Sequence, residues 1–504
     1  MARINVKQTT PRTTNYEGGE AFDLKPEAKL LHMAGTCLFN EPKFYGELGD
    51  VEKEIFNLVE KVSKTNPQYV LQLASYLRNE QYLRSISNAL LVKSANTPEF
   101  KGSNLVSKYA PNIIKRADEI TEILAMQIEL FKKPIPNSLK RSIAASFSQY
   151  DEYQFAKYNR KSKVTFKDAI MLTHPKMPSE IIKKILSDDL KVPYTWETEL
   201  SKGGDKKQTW QQLINSGKLP YMALIRNLRN ILQADVSREY INKVISMITD
   251  EKAVKNSKMF PFRFYQAYKE LEEVPHLRCA DILGALEKAM EIAFSNVPYL
   301  KGSTFIACDV SGSMQSKLSK NGSIEIREVG LLLGSAAHSF TDESMLGCFG
   351  DKFKVYPIQK DSGIISNTKR LYDRSEELGC STNGYLSIKY LNDNNIKVDR
   401  MLIFTDCQLY DSDGGIFGWS FIRGSQEDHT ERTIRKEYNK YKSNINPKCK
   451  LYLFDLNSYG IVNFPESDRS VVNISGWSDK IFNFIHLYEV DPDIQVKYIK
   501  EKYK

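Results

Sequence analysis

Residues 304–314 read TFIACDVSGSM, and this stretch decides the fold of the C-terminal part of the chain. The apolar run Phe305–Ala307 has no polar face, which is the pattern of a strand buried on both sides of a parallel sheet. It leads into Asp309, and two hydroxyls follow at alternate positions, Ser311 and Ser313. The chain has to turn sharply there, and Gly312 permits it. In open α/β sheets ligands bind outside the carboxyl ends of the strands. One carboxylate and two hydroxyls at such a crest are hard oxygen donors suited to a divalent cation. Mg²⁺ is the first choice, because it is held by few carboxylates and keeps its other positions for water or a ligand.

Working outward, Leu402–Thr405 (LIFT) is a second apolar strand that runs into Asp406, and Gly379-Cys380-Ser381-Thr382 forms a turn-rich stretch between the two. The ordered set DxSxS, a later Thr and a later Thr-Asp resembles the metal-ion-dependent adhesion site of von Willebrand factor A domains. The resemblance implies that Asp309, Ser311, Ser313 and Thr382 reach the metal, with Asp406 acting directly or through water. The DxSxS pattern alone also fits an Asp N-cap followed by a serine-rich turn.

At 504 residues the chain exceeds what one core usually supports, so two or more domains are expected. No apolar run approaches the ~20 residues that span a bilayer, and no membrane partner is expected. The N-terminus is polar, without the apolar segment of a secretory signal. Seven scattered cysteines with no CxxC pairing argue against a disulfide framework or zinc module and fit a cytoplasmic location. The formal charge of +9 is unevenly distributed. Residues 301–504 hold 27 basic and 27 acidic side chains, whereas residues 101–250 hold 25 and 16. A basic region beside a neutral one points to a polyanion partner; an ordinary lysine-rich solvated surface is the competing reading.

Residues 1–25 read as a flexible polar arm with little packing. Helical patterning then runs over residues 26–298. Asn66-Pro67 supplies an N-cap and first-turn proline, and Ile113, Ala117, Ile120, Leu124, Ile128 and Phe131 line one face of a long helix. Two further runs, from Tyr221 and from Val236, predict a helical hairpin turning at Asp235. Successive pairs of this kind predict an α-solenoid of HEAT-like repeats. The stretches 159–163 and 191–208 read as surface loops. Residues 299–504 alternate strands with helices, which predicts a mostly parallel, doubly wound sheet. Neither GxGxxG nor a P-loop follows the first strand.

The densest cationic stretch is Gln149–Pro175, in which Lys157, Arg160, Lys161 and Lys163 are interleaved with Tyr153 and Tyr158, and His174 precedes Pro175. Cations take up phosphates and aromatic faces stack on unpaired bases. Lys140 and Arg141 add positive charge on a neighbouring helix; a solvated face accounts for them equally well. DEYQFAKYNRK…VTFKDAIMLTHPK, then MFPFRFYQAYKELE at 259–272, then the DVSGSM segment, resemble the Ro family of RNA-binding proteins, which share the TROVE module. That resemblance implies a ring of HEAT-like repeats clasped by a von Willebrand factor A-like, doubly wound domain. It also implies Y-type small noncoding RNA on the basic outer surface and single-stranded 3′ ends of defective RNAs in the central hole, in a role in RNA quality control. An exoribonuclease or another protein is the partner implied at the metal site. By motif, Lys157, Lys161 and His174 fall at Y RNA contacts, and Arg160 joins them on charge alone. Relatives tend to carry Gly-Gly-Thr-Asp where this chain has Cys380-Ser381-Thr382-Asn383, so Ser381 rivals Thr382 as a ligand.

A binding scaffold is therefore the favoured class. The alternative is a metal-dependent protein-adhesion module with a scaffolding helical part. An enzyme is disfavoured, because the acidic residues lack a paired-metal arrangement and Cys407 has no evident base.

Overall fold

The computed structural model describes residues 12–14, 20–37, 49–132, 134–159, 162–176, 178–191, 193–295, 297–318, 322–409, 433–464, 468, 470–477, 479–482, 485 and 494–504. The chain divides into two compact units, Met1–Thr36 with Ile245–Gln495, and Cys37–Val244 with Val496–Lys504.

The first unit is built on a six-stranded sheet. Its strands are β3 (Leu300–Asp309), β4 (Thr341–Phe349), β5 (Phe353–Val355), β6 (Arg400–Thr405), β7 (Lys450–Asp455) and β9 (Val471–Ser475), in the order β5-β4-β3-β6-β7-β9. Every pairing is parallel except β4 with β5, so the sheet is the mostly parallel one that the sequence predicts. Helices Tyr385–Asp393 and Ile434–Asn444 cover one face, where Phe305 and Ala307 of β3 meet Tyr385, Ile388, Tyr438 and Tyr441. Ile306 and Cys308 face the other way, toward helix Ile326–Ser339. A Cβ on Gly334 would lie against the Cys308 sulfur, so the absence of a side chain there lets helix and strand approach. Burial on both faces is why Phe305–Cys308 carries no polar residue.

Three features of this unit go beyond the sequence reading. The first 25 residues are not all a loose arm: β1 (Arg12–Thr14) and β2 (Glu20–Asp23) pair antiparallel, and β2 pairs with β8 (Ile461–Val462). Phe22 and Leu24 are buried against Val462, which supplies the apolar anchor that a polar-looking segment conceals. The boundary at 298/299 marks a change of periodicity and not of packing. Helix Cys279–Phe294 belongs with the sheet, since Glu287 accepts from the backbone N–H of Ile365 at 2.7 Å and Ser366 at 3.1 Å at the start of helix Ile364–Ser375. Strand β9 and helices Ile364–Ser375 and Tyr385–Asp393 had no counterpart in the sequence reading.

The second unit is helical. The long amphipathic run starts later than predicted, because Leu105–Ile113 ends and Ala117–Phe131 begins anew. The break is fixed by Glu119, which folds back to accept from the N–H groups of Lys115 (2.6 Å) and Arg116 (3.0 Å). Asn66 caps helix Pro67–Asn79 as its sequence indicates, accepting from Tyr69 N–H at 3.3 Å. The first arm of the predicted hairpin is interrupted at Asn227, and its turn places Asp235 in the left-handed region at φ 48°. Between 191 and 208 the expected loop contains a short helix, Trp196–Ser201, nucleated by a capping box between Thr195 and Thr198.

Candidate functional site

The candidate cation site lies where β3 and β6 end. Asp309 closes β3 and Thr405 closes β6, and the side chains of Asp309, Ser311, Thr405 and Asp406 are all buried. Ser311 donates its N–H to Asp309 Oδ1 at 2.9 Å, and its hydroxyl lies 3.3 Å from that of Ser313. Thr405 donates its hydroxyl to Asp309 Oδ2 at 2.7 Å and accepts from Cys407 N–H at 3.1 Å. Cys407 stands at φ 60°, a left-handed conformation that costs free energy for a residue with a Cβ. The turn lets Gln408 N–H reach Asp406 Oδ1 at 3.1 Å.

The remaining oxygen of Asp406, Oδ2, is buried without a hydrogen-bond partner. A buried carboxylate oxygen left so costs several kcal/mol unless a cation or donor meets it. The electrostatics agree. Burial raises Asp309 to about 6. Burial, then repulsion from Asp309, raises Asp406 to about 8. Two carboxylates competing to stay neutral at one crest, ringed by hydroxyls, fit a hard divalent ion. The third loop is held close, since Gly312 N–H donates to the Cys380 carbonyl at 2.7 Å. Within that loop Ser381 is turned toward Asp351, whose Oδ1 accepts from Ser381 N–H at 2.7 Å, while bonds from the Ser381 hydroxyl and N–H lower the Asp351 pKa. Thr382 is buried and Ser381 is not. Among the described residues no three His, Cys, Asp or Glu side chains gather closely enough to hold a metal by themselves.

The cationic residues sit on helices gathered around one aromatic core. Phe155 of helix Glu152–Tyr158 lies 5.5 Å from Phe147 and 5.1 Å from Phe166, ring centre to ring centre. This ties the segments carrying Lys140 and Arg141, Lys157 and Tyr158, and His174 into one packed group. Arg141 is exposed, and Lys140, Lys157 and Tyr158 are half-buried. Lys157 Nζ lies 5.5 Å from the Tyr158 ring centre, and the Arg116 guanidinium carbon lies 4.9 Å from it. His174 is exposed at φ 50°, closing helix Phe166–Thr173 in the left-handed region, the exposed corner expected from the following proline. Lys163 is paired with Glu129 at 2.5 Å. Arg160 and Lys161 lie outside the described residues. Arg116 was missed in the sequence reading, because 42 residues separate it from the ring it stacks on and no local pattern links them.

Helical repeats joined to a doubly wound sheet with hydroxyls and carboxylates at its crest define a class: a helical-repeat protein carrying a von Willebrand factor A-like domain. The family model of the TROVE domain matches residues 30–189 and 188–282, half of the chain, and the chain belongs to that family. Telomerase protein component 1 of Rattus norvegicus is 24% identical over 308 residues, 44% of this chain and 12% of that protein. RNA-binding protein RO60 of Caenorhabditis elegans is 24% identical over 295 residues, 56% of this chain and 42% of that one. The chain thus spans less than half the length of these curated relatives. Among solved structures, the RO (RSR) protein of Deinococcus radiodurans superposes with a TM-score of 0.58 at 16% identity, covering 91% of this chain and 99% of that one. That likeness supports the two-part fold. RO60 is named for RNA binding and not for a reaction.

Proposed function

We propose that this chain is an RNA-binding scaffold of the Ro kind rather than an enzyme. It would hold small Y-type noncoding RNA on the basic surface of its helical repeats and accept single-stranded 3′ ends of misfolded RNAs in the opening of the ring, in RNA quality control in the cytoplasm. The observation that carries this reading is the TROVE match, whose span of 30–189 contains every cation and aromatic assigned to RNA from Lys140 to His174. Lysines and Arg141 would neutralise phosphates, and Tyr158 would offer a face for an unpaired base. Affinity then rests largely on counterion release and falls steeply as salt rises.

Asp309, Ser311, Ser313, Thr382 and Asp406 would hold a divalent ion, Mg²⁺ by the chemistry of the donors. Bound there, the ion would supply fixed positive charge to two carboxylates whose ionised forms burial disfavours. Thr382 is preferred to Ser381 because it is buried, whereas Ser381 is turned toward Asp351. A second reading, capture of an acidic residue of a protein such as an exoribonuclease at that ion, is favoured by the unpartnered oxygen of Asp406.

The test is binding of a structured small RNA and a single-stranded RNA to the purified chain between ~50 and ~200 mM salt. A steep loss of affinity across that range supports the scaffold reading. Affinity that does not change with salt, or equal binding of an inert polyanion, defeats it. Protein capture that survives nuclease and is lost in Asp309→Ala supports the adhesion reading.

A further inference from the structure

The register of the sheet sets four polar residues in one row across its carboxyl edge. Cys308 pairs with Phe404, so Asp309 stands level with Thr405; Thr405 pairs with Asp455, and Asp455 with Ser475. All four are at most 2% exposed. Residues paired in register direct their side chains to the same face of a sheet, and the 2.7 Å bond from Thr405 to Asp309 agrees with this. The row therefore continues the cation site sideways, onto Asp455 at the end of β7.

Asp455 is fully buried, and one of its oxygens, Oδ1, has no hydrogen-bond partner. Its other oxygen, Oδ2, lies 3.3 Å from His32 Nδ1. His32 comes from helix Pro26–Gly35, far away in sequence, and is held in turn by Ser475, whose hydroxyl donates to the His32 carbonyl at 3.1 Å. A Cβ on Gly35 would come within 2.7 Å of the Ser475 hydroxyl, so the helix lies tightly on the edge of the sheet. Two carboxylate oxygens are thus left without partners at neighbouring strand ends, Asp406 Oδ2 and Asp455 Oδ1. The negative charge of Asp455 is also among the influences that raise Asp406. Yet among the described residues no three His, Cys, Asp or Glu side chains gather closely enough to hold an ion by themselves.

We propose that Asp455 is an additional acceptor of the cation site, reached through the water shell of the ion rather than by direct ligation, and that His32 is the positioning residue that orients it. A buried carboxylate oxygen needs a donor, and Mg²⁺ keeps several of its waters when bound to protein. Partners in the outer shell of a metal site commonly change affinity by about 10–100-fold when removed. The N-terminal helix thereby becomes part of the cation site although it stands outside the strand-end motif.

This inference rests on the metal reading given above, and the experiment separates the two. The full chain, stripped with chelator, is titrated calorimetrically with Mg²⁺ alone. Asp455→Asn is expected to weaken binding about 10-fold, His32→Ala to a similar degree, and His32→Gln, which keeps a donor, less. The double variant Asp455→Asn/His32→Ala is expected to be no weaker than either single one, because His32 acts through Asp455. Far-ultraviolet circular dichroism and the metal-free melting temperature of each variant show whether it is folded. Unchanged Mg²⁺ affinity in folded Asp455→Asn overturns the inference and leaves the metal site standing. Fully additive losses in the double variant overturn the role of His32. Absence of Mg²⁺ binding by the unsubstituted chain overturns the metal reading itself, and this inference with it.

Discussion

The Thr405 hydroxyl donates to Asp309 Oδ2 at 2.7 Å while accepting from the N–H of Cys407 at 3.1 Å, so its proton has one direction to go. Threonine here is a relay between a strained turn and the first carboxylate of the candidate cation site. Thr405→Val removes the donor at similar volume. It is expected to weaken Mg²⁺ affinity about 10-fold, whereas Thr405→Ser keeps it near the original value; calorimetric titration distinguishes the two.

Asp406→Asn removes a carboxyl group whose ionised form is disfavoured by burial and by the neighbouring Asp309. In chelator-treated protein it is expected to stabilise the sheet unit by about 1 kcal/mol, or about 2–4 °C in melting temperature. The same variant is expected to lose the stabilisation that added Mg²⁺ confers. A fall in the metal-free melting temperature would contradict this account of the crest.

The pH dependence follows from the direction of the two shifts. Asp309 and Asp406 titrate at about 6 and about 8 in the fold, above an ordinary carboxyl. Their protonated forms are the ones favoured by folding, so their contribution to stability is complete below about pH 4 and is lost as pH rises through 6 and then 8. Metal-free protein is therefore expected to melt earlier at pH 8 than at pH 6. Mg²⁺ requires the ionised carboxylates, so its affinity is expected to fall as pH drops through the same range, with proton release on binding. Melting curves with and without Mg²⁺ at several pH values check both signs.

In the helical unit, Lys140→Ala, Arg141→Ala and Lys157→Ala together are expected to flatten the dependence of log affinity on log salt by about 0.7–0.9 for each phosphate that is no longer neutralised. The melting temperature is expected to stay unchanged. Tyr158→Ala is expected to weaken single-stranded RNA binding by about 1–3 kcal/mol, and Tyr158→Phe to retain it. Fluorescence anisotropy with labelled RNA at several salt concentrations reads both effects.

Glu119 is fully buried, bonded to Arg78 at 2.7 Å and to two backbone N–H groups at the start of its helix. Glu119→Ala leaves Arg78 and both N–H groups without that acceptor and is expected to cost about 3–5 kcal/mol by denaturant unfolding.

The alternation of apolar strands with Asp309 and Asp406 at their ends made the sheet and its crest legible, because a buried strand must be apolar and a strand end must turn. Lys157 and Tyr158 were legible as a cation beside an aromatic because they are neighbours in sequence, whereas Arg116, which reaches the same ring from 42 residues away, was not. Ser381 against Thr382 was not decided by sequence, since both are hydroxyls in one turn; Asp351, 30 residues away, engages the first.

By itself the sequence determined the order of helical and α/β parts, the DxSxS crest and the basic stretch, all of which are written in neighbouring residues. Only the tertiary structure set Asp455 in line with Asp309 and brought His32 to it across 423 residues. Strand register and helix docking arise from the packing of whole faces, and no local pattern of residue types encodes which distant side chain that packing will bring alongside.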